Sequence, residues 1–136
     1  MRTKLNGVFL GIREALPGKR ENNYGRIITI SSIDDLKGLK HGAAYSALKH
    51  AIIVITKTIS EEYMSTGITA NAICPGYVRT PIVDRNRDLI AKRSNLTNEE
   101  AEKAMSQDNR HKRLIEINEI TCAAEYIVNP HSESFN

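Results

Sequence analysis

The sequence predicts an α/β fold in which parallel strands alternate with helices. Three features indicate this class: an apolar, β-branched run at residues 25–30, a helical pattern with a broad apolar stripe at 43–66, and a second apolar run at 68–74. Two strands separated by a helix need a crossover connection, which joins parallel strands in a right-handed sense. A parallel sheet with helices packed on its faces is therefore expected.

The first strand is predicted at Gly25–Ile30, with the sequence G-R-I-I-T-I, and it is followed directly by Ser31 and Ser32. A short β-branched run between a glycine and polar turn residues is typical of a buried parallel strand. Ser32 is therefore expected at the carboxyl end of a strand, which is where open α/β sheets bind their ligands.

A helix is predicted to begin near Ala43, after a polar, glycine-containing loop, and to end by Gly67, a suitable residue after a helix C-terminus. Its apolar residues follow helical spacing: Ala44, Leu48, Ala51, Ile52, Ile55 and Ile59. The second strand, residues 68–74, ends at Pro75-Gly76, so the loop from Pro75 to Pro81 should emerge at the same sheet edge as Ser32.

Tyr45 and Lys49 are four residues apart in this helix, and Ser32 lies thirteen residues before the tyrosine. Residues at i and i+4 share one face of a helix, so a phenol and an ammonium can approach the same point. A cation beside a phenol favours its ionised form and makes it a usable acid or base near neutral pH. The alternative, in which Tyr45 packs along the helix and Lys49 extends beside it, predicts no chemistry.

The order and spacing of three segments resemble the middle portion of the short-chain dehydrogenase/reductase family. These segments are G-R-I-I-T-I-S-S, then Y-S-A-L-K, then N-A-I-C-P-G-Y-V-R-T-P. The resemblance implies an NAD(P)-dependent oxidoreductase with a Rossmann-like, doubly wound parallel sheet. It is close over residues 5–81 and looser towards the end of the chain.

The same resemblance implies roles for individual residues. Tyr45 would be the general acid/base, Lys49 would favour its phenolate and bind the nicotinamide ribose, and Ser32 would orient the substrate carbonyl. The loop after the second strand would contact the cofactor, NAD or NADP, through Pro75, Gly76, Val78 and Thr80. The asparagine that completes the family's catalytic tetrad corresponds to Lys4 here.

Members of this family carry a glycine-rich turn near their start, and the eight glycines of this chain contain no such motif. Gly7 and Gly11 lie in a helical stretch instead and are interpreted as a close-packing face. We therefore expect no site for the adenosine half of the cofactor. Residues 1–136 are predicted to form a single partial NAD(P)-binding domain that lacks its first βαβ units, with 82–120 as the substrate lid.

Composition excludes several classes of function. The 136 residues are 40% hydrophobic and 26% charged with a net charge of +3, which is ordinary for a globular protein. The short basic run at 110–113 indicates a solvated face rather than a nucleic-acid site, the four histidines lack metal-ligand spacing, and no apolar run is long enough to span a membrane. Cys74 and Cys122 are expected to be buried free thiols, which favours the cytoplasm.

Two hypotheses remain. The chain is the catalytic half of an oxidoreductase that acts on a small alcohol or ketone, with a lid loosely similar to that of 3-hydroxybutyrate dehydrogenases. Alternatively, it is an inactive fragment or pseudoenzyme that retains only an oligomerisation surface. That surface is formed in relatives by the helices corresponding to residues 3–20 and 43–66, and it implies a homodimer or homotetramer.

Overall fold

The computed structural model describes residues 2–33 and 42–136. Along the chain it contains α1 (Arg2–Glu21), β1 (Gly25–Ile30), α2 (Ala43–Glu62), β2 (Ile68–Ile73), α3 (Pro81–Ser94), α4 (Asn98–Ser106) and α5 (Ile117–Val128), followed by a 3-10 turn at Pro130–Ser132. The predicted loop between β1 and α2 falls largely on residues 34–41, outside the described part. No helix in the described ranges is both long enough and apolar enough to cross a lipid bilayer.

The chain divides into two compact units. The first comprises the described residues up to Cys74 together with Ala123–Asn136, and the second comprises Pro75–Cys122. The first unit contains the sheet and the two long helices, whereas the second is built from short helices and loops.

The sheet confirms the predicted parallel pairing. β1 pairs with β2 in parallel, in the register that opposes Gly25 to Ile68 and Ile30 to Ile73. Within the described residues the sheet has these two strands. A helical crossover between sequential parallel strands is what the strand, helix, strand pattern requires.

The core of the first unit lies where α1 and α2 pack on one face of the sheet. Its most buried members are Ile12, Ile27, Ile68 and Ala70, with Ile55 of α2 among the half-buried residues around them. Ile27 belongs to the alternation in β1 that buries Gly25, Ile27 and Thr29. The strand period of two therefore selects which side chains meet the helices.

A pair of hydroxyls lies inside this packed layer. The Oγ1 atoms of Thr29 and Thr56 are 2.8 Å apart, and the Thr56 hydroxyl also donates to the Ile52 carbonyl at 2.8 Å. Both threonines are buried, and mutual pairing removes the penalty of leaving a polar group unsatisfied in the core. The two hydroxyls therefore join β1 to α2 directly beneath the carboxyl end of the strand.

The end of α2 differs from the prediction. The helix ends at Glu62, with Tyr63 as its C-terminal cap, rather than continuing to Gly67. A turn at 63–66 follows, in which Ser65 has a φ of 68°. Gly67 serves a different purpose, because a Cβ at this position would lie 2.0 Å from the Asn23 carbonyl oxygen. The glycine is needed for close backbone approach and not for capping.

Two other predictions are corrected. Gly7 and Gly11 do not form a close-packed face within the described chain, since a Cβ built on either meets no atom within 4 Å. Both cysteines were expected to be buried, but Cys122 is exposed and Cys74 is half-buried. Cys122 is exposed because none of the residues of α5 is buried.

The C-terminal residues of the chain lie along the outer side of β2. The side-chain oxygen of Asn136 accepts a hydrogen bond from the Ala70 amide at 2.8 Å, and the Asn71 side chain donates to the Phe135 carbonyl at 2.9 Å. The Phe135 ring packs edge-on against Tyr126 with centroids 5.1 Å apart. These contacts satisfy part of a strand edge that would otherwise be open.

Candidate active site

The ammonium group of Lys49 is held at the carboxyl end of β1. Its Nζ donates hydrogen bonds to the backbone carbonyl of Ile30 at 3.1 Å and to that of Ser31 at 2.9 Å. The Ser31 hydroxyl in turn donates to the Lys49 carbonyl at 3.3 Å. A flexible lysine side chain is thereby fixed at one end of the strand, because the carbonyls of the last strand residue and of the residue after it accept its hydrogen bonds.

Tyr45 lies one helical turn before Lys49, on the same side of α2. The Lys49 Nζ is 5.9 Å from the centroid of the Tyr45 ring, within the range of a cation–π contact. Tyr45 is 37% exposed. The structure thus brings together the pair that the i, i+4 spacing predicts.

Ser32 follows the strand end that anchors the lysine. It is buried, with 8% of its surface exposed, and it is adjacent in the chain to the carbonyl of Ser31 that accepts from Lys49. Ser32, Tyr45 and Lys49 therefore belong to the first unit and are positioned by the end of β1 and the first turns of α2. This is an arrangement of a hydroxyl, a phenol and a cation that can bind an oxygen and exchange a proton with it.

The predicted cofactor loop belongs to the second unit and is half-buried from Pro75 to Thr80. Val78 forms an isolated parallel bridge with Ile115. On either side of it, the Ile115 amide donates to the Tyr77 carbonyl at 2.9 Å and the Arg79 amide donates to the Ile115 carbonyl at 2.8 Å. The loop then ends at Thr80, which caps α3, with Pro81 at the first helical position.

The side chain of Arg79 clamps this loop to two other segments. Its guanidinium donates to both carboxylate oxygens of Glu102, at 2.9 and 3.3 Å, and to Glu116 at 3.0 Å. The bonds to Glu102 and then to Glu116 raise the pKa of Arg79. The hydrogen bond from Arg79 is in turn the main cause of the lowered pKa of Glu102. A two-pronged arginine–carboxylate pair fixes orientation as well as distance.

A second ion pair joins Arg113 to the start of α5. The Arg113 guanidinium donates to Glu119 at 2.7 and 2.9 Å, and the Glu116 amide donates to the same carboxylate at 2.8 Å. The bonds from Arg113 and then from the Glu116 amide lower the pKa of Glu119 to about 2. The carboxylate therefore stays charged throughout the range in which proteins function.

Sequence reasoning missed several residues that build this unit. Thr97 and Glu100 form a reciprocal capping box at the start of α4, and the T-N-E-E pattern could have revealed it. The partners of Arg79 carry no such signal, because they lie 23 and 37 residues further along the chain. The same is true of Asn109, whose buried side chain bonds to the backbone of Tyr77.

The comparison with known proteins identifies the family of this chain. A family model described as short chain dehydrogenase matches residues 1–90. The chain is 37% identical, over 93% of its length, to a putative ketoacyl reductase of the granaticin polyketide synthase of Streptomyces violaceoruber. It is 35% identical over 90% of its length to a D-beta-hydroxybutyrate dehydrogenase of Rhizobium meliloti. The chain therefore belongs to the short-chain dehydrogenase family.

Solved structures agree with this assignment. A variant of actinorhodin polyketide ketoreductase with NADPH superimposes with a TM-score of 0.87 at 31% identity, over 98% of this chain and 52% of that one. An NAD+-bound xylitol dehydrogenase gives a TM-score of 0.84 at 27% identity, over 98% of this chain and 53% of that one. The chain spans about half the length of the relatives it matches: 47% of the granaticin ketoacyl reductase and 48% of the D-beta-hydroxybutyrate dehydrogenase.

Proposed function

We propose that this chain carries the proton-transfer residues of an NAD(P)-dependent oxidoreductase that interconverts an alcohol and a carbonyl compound. The observation that carries the proposal is the fixed position of Lys49, bonded to the carbonyls of Ile30 and Ser31, with its charge 5.9 Å from the Tyr45 ring. A cation held beside a phenol stabilises the phenolate that forms when the tyrosine gives up its proton.

In this mechanism each residue has a separate task. The Tyr45 hydroxyl donates its proton to the substrate oxygen during carbonyl reduction, and the Tyr45 phenolate accepts the proton of the substrate hydroxyl during alcohol oxidation. The Ser32 hydroxyl donates a hydrogen bond to the same oxygen and orients it. Lys49 compensates the negative charge on the phenol oxygen, and its two backbone bonds keep it from moving away.

The donors present suit a nicotinamide nucleotide. An ammonium group next to a phenol can bind ribose hydroxyls, and the half-buried loop supplies Pro75, Gly76, Val78 and Thr80 as proposed contacts to the nicotinamide and pyrophosphate. When bound, NADH or NADPH would supply the hydride for carbonyl reduction, and NAD or NADP would accept it in alcohol oxidation. This chain would supply the proton and the alignment. Under this proposal residues 1–136 belong to one partial NAD(P)-binding domain, with 82–120 as its substrate lid.

The substrate class is supported by the names of the relatives. They include ketoacyl reductases, D-beta-hydroxybutyrate dehydrogenases and acetoacetyl-CoA reductases of Shinella zoogloeoides and Rhizobium meliloti. We propose a small alcohol or ketone as substrate. We also propose a cytoplasmic location, because its reducing environment suits two cysteines that form no disulfide bond.

The test is turnover by the protein as it is expressed from its own gene. Purified protein is mixed with NADH or NADPH and acetoacetyl-CoA, acetoacetate or a simple cyclic ketone, and with NAD or NADP and 3-hydroxybutyrate for the reverse direction. We expect saturable consumption of one reduced cofactor with at least one carbonyl compound. A folded protein that neither binds nor oxidises either reduced cofactor contradicts the proposal.

The second hypothesis, an inactive chain that retains an oligomer surface, explains less. It assigns no reason for Lys49 to be held beside Tyr45 by two strand-end carbonyls.

The oligomer surface itself is compatible with both hypotheses. A groove of about 310 Å³ runs between α1 and α2 and is lined by apolar residues that include the exposed Phe9 and Val54.

We propose that this groove is the contact between two copies of the protein. Phe9 is 52% exposed and Val54 is 61% exposed, and large apolar side chains clustered at one groove mark an interaction surface. Arg13 and Glu62 both line the groove and supply opposite charges that can pair across a two-fold axis. The protein is therefore expected to be a homodimer or homotetramer.

Val54→Glu is expected to dissociate these oligomers, because it buries a carboxylate in an apolar contact without changing the core of the monomer. Lys57→Glu is the control, since it changes charge on α2 at an exposed residue outside the groove. Sedimentation velocity at micromolar concentration measures the oligomeric state of the wild type and of both variants. A wild-type monomer, or equal dissociation by both variants, argues against the groove as the interface.

A further inference from the structure

Asn109 links the proposed cofactor loop to the loop that follows α4. It is 4% exposed and its side chain makes three hydrogen bonds to backbone atoms. Its Oδ1 accepts from the Tyr77 amide at 2.8 Å, and its Nδ2 donates to the Tyr77 carbonyl at 2.9 Å and to the Arg113 carbonyl at 2.7 Å. Every polar atom of this buried side chain therefore has a partner.

The bonds to Tyr77 resemble those of a neighbouring strand. A carboxamide that both accepts from and donates to one residue satisfies its backbone in the same way as a ladder partner. Tyr77 stands in the middle of the stretch Pro75–Thr80, where Pro75, Gly76, Val78 and Thr80 are the proposed cofactor contacts. Ile115 also supports this stretch through bonds to Tyr77 and Arg79, in addition to the clamp made by the Arg79 side chain. Asn109 and Ile115 bond directly to the backbone on which those contacts depend.

Asn109 is itself held in place by local backbone bonds. Its amide donates to the Ser106 carbonyl at 3.0 Å, and its own carbonyl accepts from the Lys112 amide at 3.0 Å. The end of α4 and the turn that follows therefore aim the side chain at Tyr77. The side chain has little freedom to adopt another position.

We propose that Asn109 is a positioning residue that keeps the cofactor loop in its binding conformation before the cofactor arrives. This inference rests on the proposed function, because the loop's role as a cofactor contact belongs to it. A loop that is ordered in advance binds with less loss of conformational entropy, so the effect of Asn109 is on cofactor affinity. The proton-transfer step, carried by Tyr45 and Lys49 of the first unit, is unaffected.

The discriminating variant is Asn109→Asp, which keeps the shape and the acceptor for the Tyr77 amide. It replaces two donors with a carboxylate that faces the carbonyls of Tyr77 and Arg113, so both of those bonds are lost. We expect the KM for the cofactor to rise by about tenfold or more, because the loop is no longer preorganised. The kcat at saturating cofactor and its pH profile should remain those of the wild type.

Ser106→Ala is the matched control. Ser106 is 2% exposed, and its hydroxyl donates to the carbonyls of Lys103 and Lys112 at 3.1 and 3.3 Å, so neither of these bonds involves Tyr77. Both variants should lower the melting temperature, whereas only Asn109→Asp should raise the KM. Amide hydrogen exchange at Tyr77 should accelerate in Asn109→Asp and not in the control. Asn109→Ser, which keeps one short donor, serves if the aspartate variant does not fold.

Three results would overturn the inference. An unchanged cofactor KM in a folded Asn109 variant rules out positioning, and an equal rise in Ser106→Ala assigns the effect to general stability of the second unit. If the wild-type protein shows no saturation by either cofactor, the proposed function fails and the inference fails with it. The hydrogen-exchange comparison then still reports whether Asn109 holds the loop.

Discussion

Tyr45→Phe is expected to lower kcat by about a hundredfold to ten-thousandfold while leaving the fold and cofactor binding intact. The substitution removes one hydroxyl from a side chain that is 37% exposed, so it creates no cavity and breaks no core contact. Positioned general acids contribute roughly a hundredfold to ten-thousandfold to a rate, and a loss of that size is expected in kcat. Steady-state kinetics together with a cofactor titration separates the two effects.

Tyr126→Phe is the control for this experiment. Tyr126 is 55% exposed and its ring packs edge-on against Phe135, a contact that phenylalanine can also make. It should have wild-type kcat and KM. Wild-type activity in Tyr45→Phe, or a comparable loss in Tyr126→Phe, would show that the phenol of Tyr45 is not the proton donor.

Gly67→Ala is expected to destabilise the first unit by about 1–3 kcal/mol, the usual range for forcing extra atoms into a packed site. The added Cβ would lie 2.0 Å from the backbone carbonyl oxygen of Asn23, a separation that real structures do not tolerate. A small backbone shift that would relieve this clash is opposed by the hydrogen bonds that Gly67 already makes. The Gly67 amide donates to the Asn23 side chain, and the Gly67 carbonyl accepts from the Gly25 amide and from Arg26.

Gly18→Ala should instead raise the free energy of unfolding. Gly18 lies inside α1, and a Cβ there meets no atom within 4 Å. Alanine in an unhindered helix interior stabilises by about 0.5–1 kcal/mol relative to glycine. Urea unfolding followed by circular dichroism measures both free energies of unfolding. Equal effects at the two positions would mean that Gly67 is not required for the close approach to Asn23.

Much of the first unit is predictable because its signals are local. A β-branched run bounded by glycine and serine predicts β1, and a stripe with a period of 3.6 residues predicts α2, since burial on one face imposes that spacing. The pairing of Tyr45 with Lys49 follows from the same helical geometry. The end of α2 was not predictable, because a four-residue turn, 63–66, separates the helix from the glycine that was expected to end it.

The second unit was less predictable, because its stability depends on contacts between distant residues. Arg79 reads in the sequence as one charge within a loop motif, yet it bonds to carboxylates of α4 and of the segment before α5. The residues that neighbour an arginine in the sequence do not reveal whether it will lie free on the surface or bond to distant carboxylates. That outcome depends on which segments the folded chain brings together.

The sequence alone determines where the proposed proton-transfer residues lie, because a serine at a strand end and a tyrosine and lysine one helical turn apart are set by local geometry. It also places the chain in its family, through three motifs in a fixed order. Only the tertiary structure decides how the loop between β2 and α3 is held. Asn109 reaches Tyr77 across 32 residues of sequence, and no periodicity or motif can encode a single buried hydrogen bond over that distance.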